Sequence, residues 1–504
     1  MTNIQKTDTQ TIFRKDDTLE VTIEDIGQDG EGIGHVGGYT LFVKDAVIGD
    51  TVTAKIMKAK KNYAFARLLE VTKPSPFRVA PRCEIARQCG GCQIQALRYD
   101  KQLEFKQNKV RNDLIRIGGF PQEEVTKVLH PIVGMEDPFR YRNKAQMPVG
   151  HRDEEPIAGF YAARTHVIVP VSECYIGAEE NQKIVAEILA WMRTYRVPSY
   201  DEATGEGLIR HILIRSGIYS GQIMVCIVAN GEKLPHEQEL VEMLSVLPGM
   251  TSISISTNTQ KTNVIMGRKI RTLWGTDTIE DSLHVFDVEY VNKNSEAMDN
   301  GETARFIPSG LDALRFNISP LSFYQVNPKQ TEKLYSIVLH YANLSGKETV
   351  WDLYCGVGTI SLFLARFAKE VYGVEVVPEA IRDAKKNAER NGITNTLFQV
   401  GKVEEVLPDY VRRKAEAQSH NNAPVDVVVV DPPRKGCDEK CLQTILEVKP
   451  RRMIYVSCDP ATLSRDLKIL VAGGYRIRDV QPLDQFGHNI HVECVVLMSR
   501  VEGK

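Results

Sequence analysis

"VWDLYCGVGTISLFLA", residues 350–365, runs an apolar strand into two glycines and out again as an apolar helix. Asp352-x3-Gly356-x-Gly358 places an acid at the strand end, and the glycines let backbone approach a ligand there. The next strand, "EVYGVE", ends in Glu375, nineteen residues after Gly356, where a carboxylate suits ribose hydroxyls. Position 361 is Ser, so the third glycine of a G-x-G-x-x-G dinucleotide fingerprint is missing, which argues against NAD. From about residue 345 strand and helix patterns alternate, through "PEAIRDAKKNAERNG", "VDVVVVDPP", "RMIYVSC" and "PATLSRDLKILVAG", to "HVECVVLMS". This alternation predicts an α/β, doubly wound, largely parallel sheet.

Two further strand ends carry chemistry. "VDVVVVDPPRKG" ends in Asp431-Pro432-Pro433, with Arg434 where an aromatic would suit a methyltransferase acting on exocyclic amines. "RMIYVSCDPATL" puts Cys458 between a strand and a helix. The acids and glycines together point to S-adenosylmethionine, with Asp431 beside its amino-acid or methyl end. A thiol one strand further on is unnecessary for amine chemistry. It suits a pyrimidine, whose carbon 5 becomes nucleophilic once a thiolate adds at carbon 6. A base must then remove the carbon 5 proton. Glu493, opening the apolar strand "ECVVLM", is the candidate, the alternative being an edge carboxylate facing water. The amino end of the helix after Cys458 is expected to lower the thiol's pKa. A buried structural cysteine is the competing reading.

At 504 residues the chain exceeds a single core, and three domains are expected. The composition, 42% hydrophobic and 25% charged, is that of an ordinary globular protein. The start is polar and no apolar run reaches the length of a membrane span, so a cytoplasmic chain with no membrane partner is expected. Net charge is −2, yet residues 55–115 hold fourteen Lys and Arg against five Asp and Glu. Such a stretch is a solvated face or a polyanion contact. Residues 13–73 read as short strands split by glycines, a small β-barrel. Tyr63 is a candidate for base stacking there, and Phe65 is assigned rather to the barrel core. Residues 74–345 form a central α+β region, with "RHILIRS" (Arg210, Arg215) as an RNA-facing strand and 287–310 as a surface loop. Residues 346–504 form the doubly wound domain, with 411–424 as an inserted loop.

"RCEIARQCGGCQ" spaces Cys83-x5-Cys89-x2-Cys92, and Cys174 follows in "PVSECYIG". Four soft ligands suit zinc or an iron–sulfur cluster, and spacing does not separate the two. Cys226, Cys355, Cys437 and Cys441 are left as packing cysteines.

The barrel segment resembles a TRAM domain, an OB-like fold found on RNA-modifying enzymes. With Asp352-Leu-Tyr-Cys-Gly, Asp431-Pro-Pro-Arg-Lys-Gly, "YVSCDPATLSRDL", "HVE" and "ISPLSFYQVNPKQTEKLY" (318–335) in order, nearly the whole chain resembles the RNA uracil-C5 methyltransferases. The likeness is to the 23S ribosomal RNA branch that bears a TRAM domain. It implies a class I S-adenosylmethionine-dependent methyltransferase fold, with Cys458 as nucleophile and Glu493 as base. It implies S-adenosylmethionine contacts from Gln325, Tyr354, Glu375 and Asp431, and a [4Fe-4S] cluster on Cys83, Cys89, Cys92 and Cys174. The expected partner is 23S ribosomal RNA, met by a monomer. The competing readings are a transfer RNA uracil-C5 methyltransferase and a non-catalytic iron–sulfur RNA-binding protein.

Overall fold

The computed structural model describes residues 13–292, 301–417 and 425–501. The chain divides into two compact units. One comprises the residues up to Lys106 with Tyr161–Val169 and His488–Ile490, and the other the remainder.

The first unit is built on a closed barrel of β1 (Thr18–Ile26), β2 (Gly32–Val36), β3 (Tyr39–Lys44), β4 (Thr51–Ala59) and β5 (Tyr63–Lys73), in the order β1-β2-β3-β5-β4. Strict alternation drives it: along β5, Ala64, Ala66 and Leu68 face inward while Tyr63, Phe65 and Arg67 face out. Gly34 has no alternative, because a Cβ there would sit 2.3 Å from the Thr22 carbonyl oxygen on the paired strand. Phe65 is 37% exposed and stacks edge-on with Tyr63 and against Phe42 on the outer face. Its expected place in the barrel core is therefore corrected. The parity of β5 puts it on Tyr63's side, and the alanines fill the interior.

A mixed sheet of seven strands has the order β12-β11-β10-β9-β6-β7-β8. These are β6 (Lys144–Arg152), β7 (Glu155–Tyr161), β8 (Ile168–Pro170), β9 (Ile209–Ser216), β10 (Ile223–Ala229), β11 (Met250–Thr257) and β12 (Lys269–Gly275). Every residue of β9 and β10 is buried. The RNA-facing reading of β9 is thereby corrected. Arg210 donates to the carbonyls of Asn258 and Gln260, and Arg215 donates to those of Pro320 and Ser322. Two strand pairs follow: β13 (Ile279–Leu283) with β16 (Leu314–Ile318), and β14 (Phe286–Asn292) with β15 (Glu302–Pro308). The expected loop at 287–310 is thus a hairpin over its described residues. Val288 is buried, and Tyr290 bonds the Tyr341 hydroxyl at 2.8 Å, an inward alternation hidden among polar residues. Residues 293–300 lie outside the described residues.

The last sheet has the order β19-β18-β17-β20-β21-β23-β22, from β17 (Thr349–Leu353), β18 (Glu370–Glu375), β19 (Thr396–Val400), β20 (Val427–Val430), β21 (Arg452–Ser457), β22 (Tyr475–Leu483) and β23 (Glu493–Arg500). All pairings are parallel except those of β23, antiparallel to both neighbours. Apolar clusters cover both faces, one around Val350, Phe363 and Ile454, the other around Trp351, Leu442 and Tyr455. Residues 411–417 end a helix, Val403–Ala417, so the expected loop there is a helix as far as it is described. The remainder, 418–424, lies outside the described residues. This is the class I S-adenosylmethionine-dependent methyltransferase fold expected from the motifs, joined to an α+β central region and an OB-like TRAM barrel. Strand order reverses between β17 and β20, so a crevice opens beyond their carboxyl ends.

Candidate active site

Five strands deliver their functional residues to that one edge. β17 ends before Tyr354, β18 ends on Glu375, β20 ends before Asp431, and β21 ends before Cys458. Because β23 runs the other way, its first residue, Glu493, arrives at the same edge. The register pairs Ser457 with Cys494, so Cys458 and Glu493 stand next to each other across two bonded strands. Only the antiparallel return makes a strand's beginning meet its neighbour's end.

The electrostatics follow from this convergence. Burial, then Asp431, pushes the Glu493 carboxyl up to about 8, and Arg434 draws it back down. Glu493 is 4% exposed, which removes the water-facing reading. Burial alone raises Asp431 to about 7. The Cys458 thiol is pushed up to about 12 by burial, then by Glu493 and Asp431, with Arg434 opposing. This reverses the expected lowering by the helix. The helix Pro460–Ala472 does begin there, but Asp459 caps it, accepting from Ala461 N at 3.1 Å and Thr462 N at 3.0 Å. The cap carboxylate occupies the positive helix end, and its own charge raises the thiol further.

Arg434 is the cation common to both groups, and sequence reasoning noted it only as a departure from an aromatic. Its guanidinium lies 3.1 Å from His491 Nε2, and its carbonyl accepts from the Thr462 hydroxyl at 3.1 Å. The turn after β20 is thus tied to the first turn of the helix behind Cys458. Its adjacency to Asp431 in the same turn was the available signal.

The turn after β17 borders the same edge. Tyr354 adopts a left-handed backbone (φ 71°) directly after β17, and Gly356 and Gly358 follow at φ 53° and 81°. Nothing stands within 4 Å of a Cβ built on Gly356, so the backbone there borders open space. Asp352 is fully buried, raised to about 7 first by burial, and its Oδ1 has no partner. Its Oδ2 accepts from Ser361 Oγ at 2.5 Å. The serine in place of a third glycine therefore serves to brace Asp352. Glu375 Oε1 accepts from Val377 N at 3.0 Å, leaving its second oxygen for a ligand. Tyr354's side chain packs against the apolar cluster around Cys441, and burial holds its phenol well above the ordinary range. Gln325 is half-buried in the loop between β16 and the helix Pro328–Ala342. Its carbonyl accepts from Asn143 Nδ2 at 2.9 Å, and its side chain bonds Tyr335, whose phenol also feels Asp431.

Cys83, Cys89, Cys92 and Cys174 are half-buried. Gly91 N donates to Cys89 Sγ at 3.4 Å. Among the described residues, no three His, Cys, Asp or Glu side chains are gathered as a metal site. The fit of a cluster here is one of donor chemistry and not of assembled geometry. No described helix is long and apolar enough to cross a membrane.

Comparison with known proteins shows the family. A model of the tRNA (uracil-5-)-methyltransferase family matches residues 223–501, and a TRAM domain model matches 15–69. Uncharacterized RNA methyltransferases of Clostridium acetobutylicum and Halalkalibacterium halodurans are each 46% identical, over 97% of this chain and 98% of theirs. Among solved structures, the Pyrococcus abyssi tRNA (uracil-54, C5)-methyltransferase in complex with S-adenosyl-L-homocysteine is 26% identical with a TM-score of 0.71. That match covers 95% of this chain and all of that one. The chain belongs to the tRNA (uracil-5-)-methyltransferase family of RNA methyltransferases.

Proposed function

We propose that this chain transfers a methyl group from S-adenosylmethionine to carbon 5 of a uridine in 23S ribosomal RNA, through a covalent bond between Cys458 and carbon 6. The meeting of Cys458 and Glu493 across β21 and β23, with Asp431 and Arg434 beside them, carries the reading. S-adenosylmethionine supplies the methyl group on a positively charged sulfur. Gln325, Tyr354, Glu375 and Asp431 hold it. Cys458 Sγ loses its proton to solvent and bonds carbon 6; the ring's π electrons make carbon 5 the nucleophile, which takes the methyl group as the sulfur–methyl bond breaks and S-adenosylhomocysteine is left. Arg434 offsets the negative charge that gathers as the thiol ionises. Glu493, as carboxylate, takes the carbon 5 proton, the double bond re-forms, and the sulfur–carbon bond breaks. A carboxyl raised to about 8 is a stronger base than an ordinary carboxylate, which suits a carbon acid.

The target base must lie outside a helix to expose carbon 6. The basic 55–115 stretch and the outward-facing Tyr63 and Phe65 supply backbone and stacking contacts. A [4Fe-4S] cluster on Cys83, Cys89, Cys92 and Cys174 is assigned a structural role, since methyl transfer moves no net electrons. Visible absorption of anaerobically purified protein, lost in Cys83→Ser, tests it. Transfer RNA is the second reading, favoured by the Pyrococcus abyssi likeness.

Incubating the protein with cofactor and 5-fluorouridine RNA tests the chemistry, because fluorine blocks the final deprotonation. A stable protein–RNA adduct that Cys458→Ala abolishes is expected, and its persistence in that variant overturns the mechanism. Mapping 5-methyluridine in ribosomal and transfer RNA of a strain lacking the protein decides the substrate.

A further inference from the structure

Three cations meet in the second unit without a carboxylate among them. Lys144 on β6 is the direct cross-strand partner of Arg215 on β9, and Arg142 stands two residues before Lys144. Like charges directly opposite on paired strands destabilise a sheet. Lys144 shows the strain, its ammonium lowered to about 8 by burial, then by Arg215 and Arg142. Arg215 is 3% exposed, and its Nε has no hydrogen-bond partner. Burying an unpaired guanidinium donor beside two further cations is costly unless something negative joins them.

The neighbourhood says where that charge would lie. Arg215 donates to the carbonyls of Pro320 and Ser322, and Asn143 holds both Gln325 O and Val326 O at 2.9 Å. The cation group therefore underlies the loop that bears Gln325. From the same loop Phe323 projects 69% exposed, its ring open to stacking.

We propose that Arg142 and Lys144, with the buried charge of Arg215 behind them, form a phosphodiester-binding site that seats the substrate RNA backbone beside the Gln325 loop. This deepens the uridine methyltransferase reading and rests on it. Arg215 is buried, while Arg142 and Lys144 are half-buried and nearer to solvent. The competing anion is the carboxylate of the cofactor, which has the same appeal for three cations.

The test uses the full chain, labelled oligouridylate as RNA probe, and S-adenosylhomocysteine as cofactor probe. For single-stranded RNA each neutralised phosphate contributes a slope of about −0.7 to log affinity against log salt. Lys144→Gln is expected to make the slope shallower by about 0.7, leave S-adenosylhomocysteine affinity unchanged, and keep or raise the melting temperature. Arg142→Gln is expected to do the same, and Lys144→Arg to restore the slope. An unchanged slope in both glutamine variants overturns the site. Loss of S-adenosylhomocysteine binding with an unchanged slope overturns it in favour of the cofactor carboxylate. A failure of the wild-type protein to form the 5-fluorouridine adduct counts against the methyltransferase reading alone, since the salt slope needs no turnover.

Discussion

At the scale of single residues, Glu493 is the group whose state sets the chemistry. Its carboxyl is raised to about 8, so at neutral pH it is mostly protonated, and the carboxylate needed as base grows as pH rises through 8. Turnover under saturating RNA and cofactor is therefore expected to climb with pH across that value, read from a pH–rate profile. Arg434 lowers the Glu493 pKa, so Arg434→Gln should move the rising limb to higher pH. Glu493→Gln removes the base while leaving the nucleophile. It is expected to cut turnover by about 10²–10⁴-fold and to accumulate the Cys458 adduct on ordinary uridine RNA, visible as a shifted band on a denaturing gel. A variant that turns over normally would place the base elsewhere.

At the scale of elements, the helix behind Cys458 and its cap work against each other. Asp459 satisfies two amide donors at the helix start and adds a negative charge beside the thiol. Asp459→Asn keeps the capping oxygen and removes the charge, so thiol pKa should fall with little change in melting temperature. Asp459→Ala removes both and is expected to cost about 1 kcal/mol besides. The rate of alkylation by iodoacetamide against pH reads the thiol, and thermal melting reads the cap. The outer face of β5 gives a second contrast. Phe65 is exposed and packs against its aromatic neighbours, so Phe65→Ala should barely move stability. If the ring stacks on a base, the same change weakens RNA binding by about 1–3 kcal/mol, measured by filter binding.

At the scale of the molecule, the doubly wound sheet holds the site by burying both faces of its central strands. Trp351 on β17 is 1% exposed and stacks on Tyr372 at 4.9 Å, one residue from Asp352. Trp351→Ala is expected to cost about 3–5 kcal/mol in denaturant unfolding, because the surrounding core cannot close over the cavity. Activity should fall with the folded fraction, since the side chain stacks in the core on Tyr372.

Much of this was legible in the residues themselves. Period and punctuation reported the alternating strands, the glycine turn after Asp352, and the strand ends bearing Asp431, Cys458 and Glu493, because those signals are local. The hairpin at 286–308 and the helix through 417 were missed, because polar residues masked inward positions that only their packing partners disclose. Residue type alone could not say that β9 is covered on both faces, which turned Arg210 and Arg215 from surface cations into interior ones. Above all, the ionisation of the site was decided by tertiary structure. A thiol before a helix reads as acidic, yet burial and two approaching carboxylates raise it to about 12. A pKa depends on what is near in space and how much water remains, and neither quantity is written along a chain.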